Sequence, residues 1–103
     1  MSDGDEAAYF HHYDGSYCGF VYCGDYYDAS GKHVGRLCSN VIVNKQGKYL
    51  GEIRRGRILT QTDRKGTLAG TGFTQILSIS PPLVLAKLTA ETLPAGFEEF
   101  SEI

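Results

Sequence analysis

SGKHVGRLCSN (residues 30–40), followed at once by VIVNKQGKYLGEIRRGR (residues 41–57), says one short phrase twice: a glycine, a lysine, and a second glycine four positions after the first. The same spacing occurs on either side. The pairs are Gly15/Gly19, Gly31/Gly35, Gly47/Gly51 and Gly66/Gly70, the first three starting 16 residues apart and the last 19. In a long apolar stretch this spacing would suggest helix dimerisation, but these segments are polar and rich in β-branched and aromatic residues, which suits strands. Asp14-Gly15, Ser30-Gly31 and Gln46-Gly47 put a glycine where a tight hairpin needs positive φ. Cys23-Gly24, Ser39-Asn40 and Arg55-Gly56 supply a second set of turns between the units. The pattern predicts a mainly β fold: an antiparallel meander of four tandem hairpins in a pseudo-fourfold barrel or flower.

With two-residue turns at the first set, cross-strand partners follow. His11 faces Cys18 and His12 faces Tyr17; Tyr27 faces Val34 and Asp28 faces His33; Val43 faces Leu50 and Asn44 faces Tyr49. Phe10, Tyr26 and Ile42 lie opposite Gly19, Gly35 and Gly51, as when a large side chain covers bare strand backbone. The second turns pair Val21 with Tyr26, Leu37 with Ile42 and Ile53 with Ile58, and this face is the predicted core. The fourth unit carries three extra residues, so a bulge or a longer TDRKG loop is expected there.

After Phe73 the repeat stops. FTQILSI (73–79) reads as a last strand, and in SPPLVLAKLTAETLP Ser80 caps a short helix that Pro94 ends, with a strand through Leu83 to Leu88 as the competing reading. The expected organisation is a flexible acidic N-terminus (1–8), a four-hairpin domain (9–79) and a C-terminal helix and tail packed on that domain (80–103).

The chain of 103 residues is long enough for one core without staples, and its net charge of -2 describes an ordinary globular surface. MSDGDEAAYF has no charged n-region or apolar h-region, and no apolar run reaches membrane-spanning length, so a cytoplasmic protein without membrane partners is expected. Cys18, Cys23 and Cys38 are an odd count and read as reduced thiols.

The phrases YDASGKHVGRL (27–37) and VNKQGKYLGEI (43–53) resemble the small bacterial family of 4-fold β-flower proteins, over roughly residues 9 to 75. Weaker similarity extends to PRC-barrel-like domains. The fourth copy, TDRKGTLAGTG, departs by placing Thr67 where the phrase has lysine. The resemblance implies a pseudo-fourfold β architecture and no established activity, so no catalytic residue is carried over.

Read for chemistry, His12, Tyr17, Asp28, His33, Asn44 and Tyr49 would form a polar ring beside glycine backbone, a candidate small-ligand site. The plain alternative is a set of mutually satisfied cross-strand pairs. Arg54, Arg55, Arg57, Arg64 and Lys65 form one basic cluster that suits an anion or an acidic partner, with Glu91, Glu98, Glu99 and Glu102 able to supply charge within an oligomer. A nucleic-acid partner is not expected from a chain that is not basic overall. No metal-ligand spacing and no cofactor motif occurs, and Cys18 falls on the other face from His33. The function expected is a non-enzymatic binding or assembly module; the alternative is a hydrolase-like enzyme using Asp28 and His33. A repeat spreads similar groups symmetrically, whereas catalysis needs dissimilar groups converging. The aliphatic run PPLVLAKL suggests self-association as a homodimer through residues 81–93.

Overall fold

The structure, a computed structural model, describes residues 7–81 and 85–101. Eight strands are present among them: β1 (Ala8–His11), β2 (Tyr17–Tyr22), β3 (Asp25–Asp28), β4 (His33–Cys38), β5 (Val41–Val43), β6 (Tyr49–Arg54), β7 (Arg57–Gln61) and β8 (Phe97–Glu99). Sequential neighbours pair antiparallel in one sheet, and a parallel contact of His11 with Arg57 joins β1 to β7, closing seven strands into a barrel with β8 added on β7. A first strand starting at Ala8 shortens the expected N-terminal tail, the rest of which (1–6) lies outside the described residues.

The register near the second turns is the one expected from the sequence. Phe10, Tyr26 and Ile42 pair with Gly19, Gly35 and Gly51, and Val21/Tyr26, Leu37/Ile42 and Ile53/Ile58 are directly opposed. At two of these turns both central residues have positive φ, Cys23-Gly24 (53° and 82°) and Arg55-Gly56 (52° and 78°), the geometry that matches strand twist.

The first turns are not two-residue turns. The N–H groups of His12, Asp28 and Asn44 donate to Ser16 O, Lys32 O and Lys48 O, and their carbonyls accept from Gly15, Gly31 and Gly47 N–H, leaving three-residue loops that end in those glycines at φ 96°, 92° and 81°. The three-residue loops pair His11 with Tyr17, Tyr27 with His33 and Val43 with Tyr49, and a bulge at Cys18, Val34 and Leu50 then restores the expected register beyond it. Because side chains alternate with period two, one inserted residue reverses every face between the bulge and the turn.

The inner face is therefore Val21, Tyr26, Ile42 and Ile58, joined by the bulge residues Cys18 and Leu50 and by Phe100, with Phe10, Val34, Leu37 and Ile53 against them. Phe100, beyond β8, meets Tyr26 of β3 edge-on at 5.6 Å between ring centroids and covers Gly51 of β6. Residues so far apart along the sheet can touch only across the barrel interior. The outward face is buried too: Phe20 stacks on Tyr27, and Val43, Tyr49 and Leu59 are inaccessible.

Much of that outer cover comes from the described residues between β7 and β8, which form a strap over the three hairpin tips in reverse order. The N–H of Gly70 donates to Gly47 O, that of Ile79 to Gly31 O and that of Leu88 to Gly15 O, at nine-residue intervals. A Cβ on Gly47, Gly31 or Gly15 would strike the carbonyl oxygen of the same strap residue. The strap repeats a phrase at these points: Gly70-Thr71-Gly72, Ile79-Ser80-Pro81 and Leu88-Thr89-Ala90 each place a hydroxyl residue and then Gly, Pro or Ala after the docking residue.

The strap corrects three expectations. The fourth hairpin lacks its second strand: residues 67–70 make only a bridge of Leu68 with Lys48, and β7 takes Phe97–Glu99 as its partner. Residues 73–79 form no strand. No helix is present at 81 or 85–93, while 82–84 lie outside the described residues. The reason is shared. Phe73, Ile79, Leu88 and Glu91 spend their N–H groups on hairpin-tip carbonyls, so neither a ladder nor an i→i−4 series can form. No helix among the described residues is long and apolar enough to cross a membrane.

Candidate functional site

The hairpin tips, where strap and barrel meet, bring most of the candidate residues near one another but not into one ring. Asp28 and Asn44 are consumed by their own turns: Asp28 Oδ1 accepts from Ser30 N, Ser30 Oγ and Lys32 N, and Asn44 Oδ1 from Gln46 N and Lys48 N. Tyr17, His33 and Tyr49 were expected on the same face as His12, Asp28 and Asn44. The bulges turn them outward, under the strap.

His33 is buried, and both ring nitrogens are occupied. Ile76 N–H donates to Nδ1 at 3.0 Å, which leaves the proton on Nε2 to donate to Asp25 Oδ1 at 3.0 Å. Asp25 also meets Arg36 at 3.3 Å. The Asp28/His33 pair of the hydrolase reading is thus replaced by Asp25/His33, a clamp on the strap, with Phe73 packed on the imidazole at 5.0 Å. His11 clamps it further along, its Nε2 donating to Ala86 O at 3.0 Å.

Tyr49 and Tyr17 occupy equivalent positions with opposite outcomes. Tyr49 OH donates to Glu52 Oε1 (2.8 Å) and accepts from Gln61 N (2.8 Å), beneath the guanidinium of Arg64. Tyr17 OH is buried without a hydrogen-bond partner, since Phe20 stands where the third hairpin has Glu52. Tyr49→Phe is expected to cost about 1–3 kcal/mol and Tyr17→Phe nothing, or to stabilise; chemical denaturation of both variants measures this. Burial pushes both hydroxyls up to about 12. The unfolded chain ionises first, near pH 10, so the neutral phenols stabilise the fold below pH 10 and that contribution is lost as pH rises through 12. Circular dichroism against pH reads the alkaline transition in that window.

The basic cluster is dispersed among internal carboxylates. Arg54 meets Glu52 at 3.3 Å and lies over Phe97; buried Arg57 donates to His12 O and Tyr13 O and meets Glu91 at 3.3 Å; Arg64 approaches Glu52; Lys65 meets Glu98 at 3.1 Å. Of the acidic partners anticipated for an oligomer, Glu91, Glu98 and Glu99 are engaged within one chain, and Glu102 lies outside the described residues. Arg55, exposed at its turn, lines an open pocket of about 270 Å³ together with Arg54, Glu91 and Tyr13.

A cleft of about 190 Å³ lies between the second and third hairpin tips and the strap, lined by Lys32, Val34, Asn44, Lys45, Gln46, Phe73 and Gln75. Two ammonium groups and three amides surround an aromatic ring, and no carboxylate lines it. Of these residues only Asn44 was a candidate from the sequence. Phe73 and Gln75 arrive through the strap, and the one signal that could have placed them is its nine-residue phrase. Compared with family models, curated proteins and solved structures, the chain matches none.

Proposed function

We propose that the protein is a non-enzymatic binding module that takes a small organic anion in the cleft between the second and third hairpin tips and the strap. The observation that supports this is the lining itself: Lys32 and Lys45 with Asn44, Gln46 and Gln75 around Phe73, cationic in a chain of net charge -2. Ammonium and amide groups complement a carboxylate, and the ring complements a planar apolar body. Its 190 Å³ suits a ligand smaller than drug size. Benzoate carries both features and benzamide only one. Calorimetric titration is expected to show binding of benzoate that Lys45→Glu weakens at least tenfold, with benzamide weaker than benzoate; equal binding of the two, or none of benzoate, rejects the reading.

The second reading is assembly. A homodimer through residues 81–93, of which 82–84 lie outside the described residues, is supported there by the exposed Leu88, with Leu68, Ile76 and Leu77 exposed earlier on the strap. Sedimentation at micromolar concentration tests it, and a monomeric mass ends it.

A further inference from the structure

The other end of the first hairpin's divergence lies inside the barrel mouth. At the two positions where the second and third hairpins carry Asp28/Asn44 and Val34/Leu50, the first carries His12 and Cys18. Asp28 and Asn44 organise their turns; in the first hairpin Asp14 does so instead, its Oδ1 accepting from Ser16 N at 2.8 Å and Ser16 Oγ at 2.6 Å. The His12 side chain is thereby released from the turn. Its Nδ1 is buried without a hydrogen-bond partner, the nearest carboxylate oxygen, Glu99 Oε1, standing at 3.8 Å and already accepting from Tyr13 N. Cys18 is the residue inserted by the bulge, and the insertion turns its sulfur inward to 2.9 Å from Tyr26 OH. Both side chains line one cavity of about 230 Å³, with Tyr26, Phe100 and Ser101.

We propose that this cavity is a covalent site, distinct from the tip cleft, in which the Cys18 thiol adds to a small planar α,β-unsaturated carbonyl compound with His12 as proton carrier. The aromatic walls, Tyr26 and Phe100, fit a flat apolar body, and the Tyr26 hydroxyl stands beside the thiol at 2.9 Å. A thiol needs a base to become the nucleophile, and His12, a partly exposed side chain on the same cavity whose Nδ1 makes no hydrogen bond, supplies one. The step balances without a co-reactant. Sulfur bonds to the β-carbon, the double-bond pair moves onto the α-carbon and oxygen as an enolate, and the thiol proton passes by way of His12 Nδ1 to the α-carbon. No group leaves.

N-ethylmaleimide is a suitable probe, with Cys23, exposed at its turn, as internal reference. Labelling followed by peptide mass mapping of the folded protein is expected to modify Cys18 at least as fast as Cys23, although Cys18 is only 7% exposed. His12→Gln is expected to slow Cys18 at least tenfold and leave Cys23 unchanged. Unfolding would speed Cys18, so a slowed rate cannot come from loss of structure. If His12→Gln does unfold, the wild-type rates decide alone. Cys18 that stays unmodified until the protein is denatured overturns the proposal, as does a folded His12→Gln variant with an unchanged rate.

Discussion

Phe100→Ala is expected to remove about 3–5 kcal/mol of stability, a large share of what a domain of this size has. Phe100 is almost fully buried, yet it belongs to no repeat unit and reaches the barrel from the far end of the chain. Its ring fills the space above Gly51, where a Cβ would meet it at 2.6 Å, and supports Tyr26 from the side. Truncation leaves a void whose walls are strands tied to one another, so little of it can collapse. The comparison is Phe97→Ala, three residues earlier on β8, which loses a half-buried ring beneath Arg54 and is expected to cost about 1 kcal/mol. Denaturant unfolding of both decides: equal losses would mean that Phe100 is not the plug of the interior.

Gly31→Ala is expected to lower the melting temperature by roughly 10 °C or more, from two separable effects. The backbone at φ 92° penalises any L side chain by about 1–2 kcal/mol. The added methyl must also displace Ile79 O, releasing the strap between its anchors at Gly47 and Gly15. Gly24→Ala isolates the first effect, since its φ is 82° and nothing lies within 4 Å of the position. The difference between the variants is the contribution of the strap at one tip. If Gly31→Ala costs no more than Gly24→Ala, the strap contributes nothing there. Hydrogen exchange at the Ile79 and Ile76 amides, both bonded to the second hairpin, reports the same release locally.

The strap also bears on the two proposed sites. Phe73 and Gln75 are held at the tip cleft by the hydrogen bonds of Ile76 N–H to His33 Nδ1, Gln75 Nε2 to His33 O and Phe73 N–H to Lys45 O. Gly31→Ala is therefore expected to affect the cleft, whereas the cavity of Cys18 and His12 is built by the first hairpin, Tyr26 and the end of the chain after β8.

The sequence by itself determined the strands, the second turns and the inner face for three units, because these are local properties: glycine tolerance of positive φ, the two-residue side-chain period, and pairings across a turn of fixed length. Phe10, Tyr26 and Ile42 could be set opposite their glycines without knowing where the sheet closes. What a bulge does was also local, but the sequence marks a left-handed glycine without saying whether it ends a two-residue or a three-residue loop. That single residue decides whether Cys18 faces solvent or core, and whether Tyr17, His33 and Tyr49 share a face with their turns. The partner of β7, the fate of residues 67–93 and the position of Phe100 were decided only by tertiary structure. A Lys-Leu-Thr-Ala stretch can be helical in isolation, but once barrel closure presents the carbonyl of Gly15, the Leu88 amide is satisfied there, as those of Ile79 and Gly70 are at Gly31 and Gly47, over distances that no local pattern encodes. The candidate sites inherit this division. Asn44, His12 and the turn residues were legible, whereas the strap residues of the cleft and the inward thiol of Cys18 required the closed barrel.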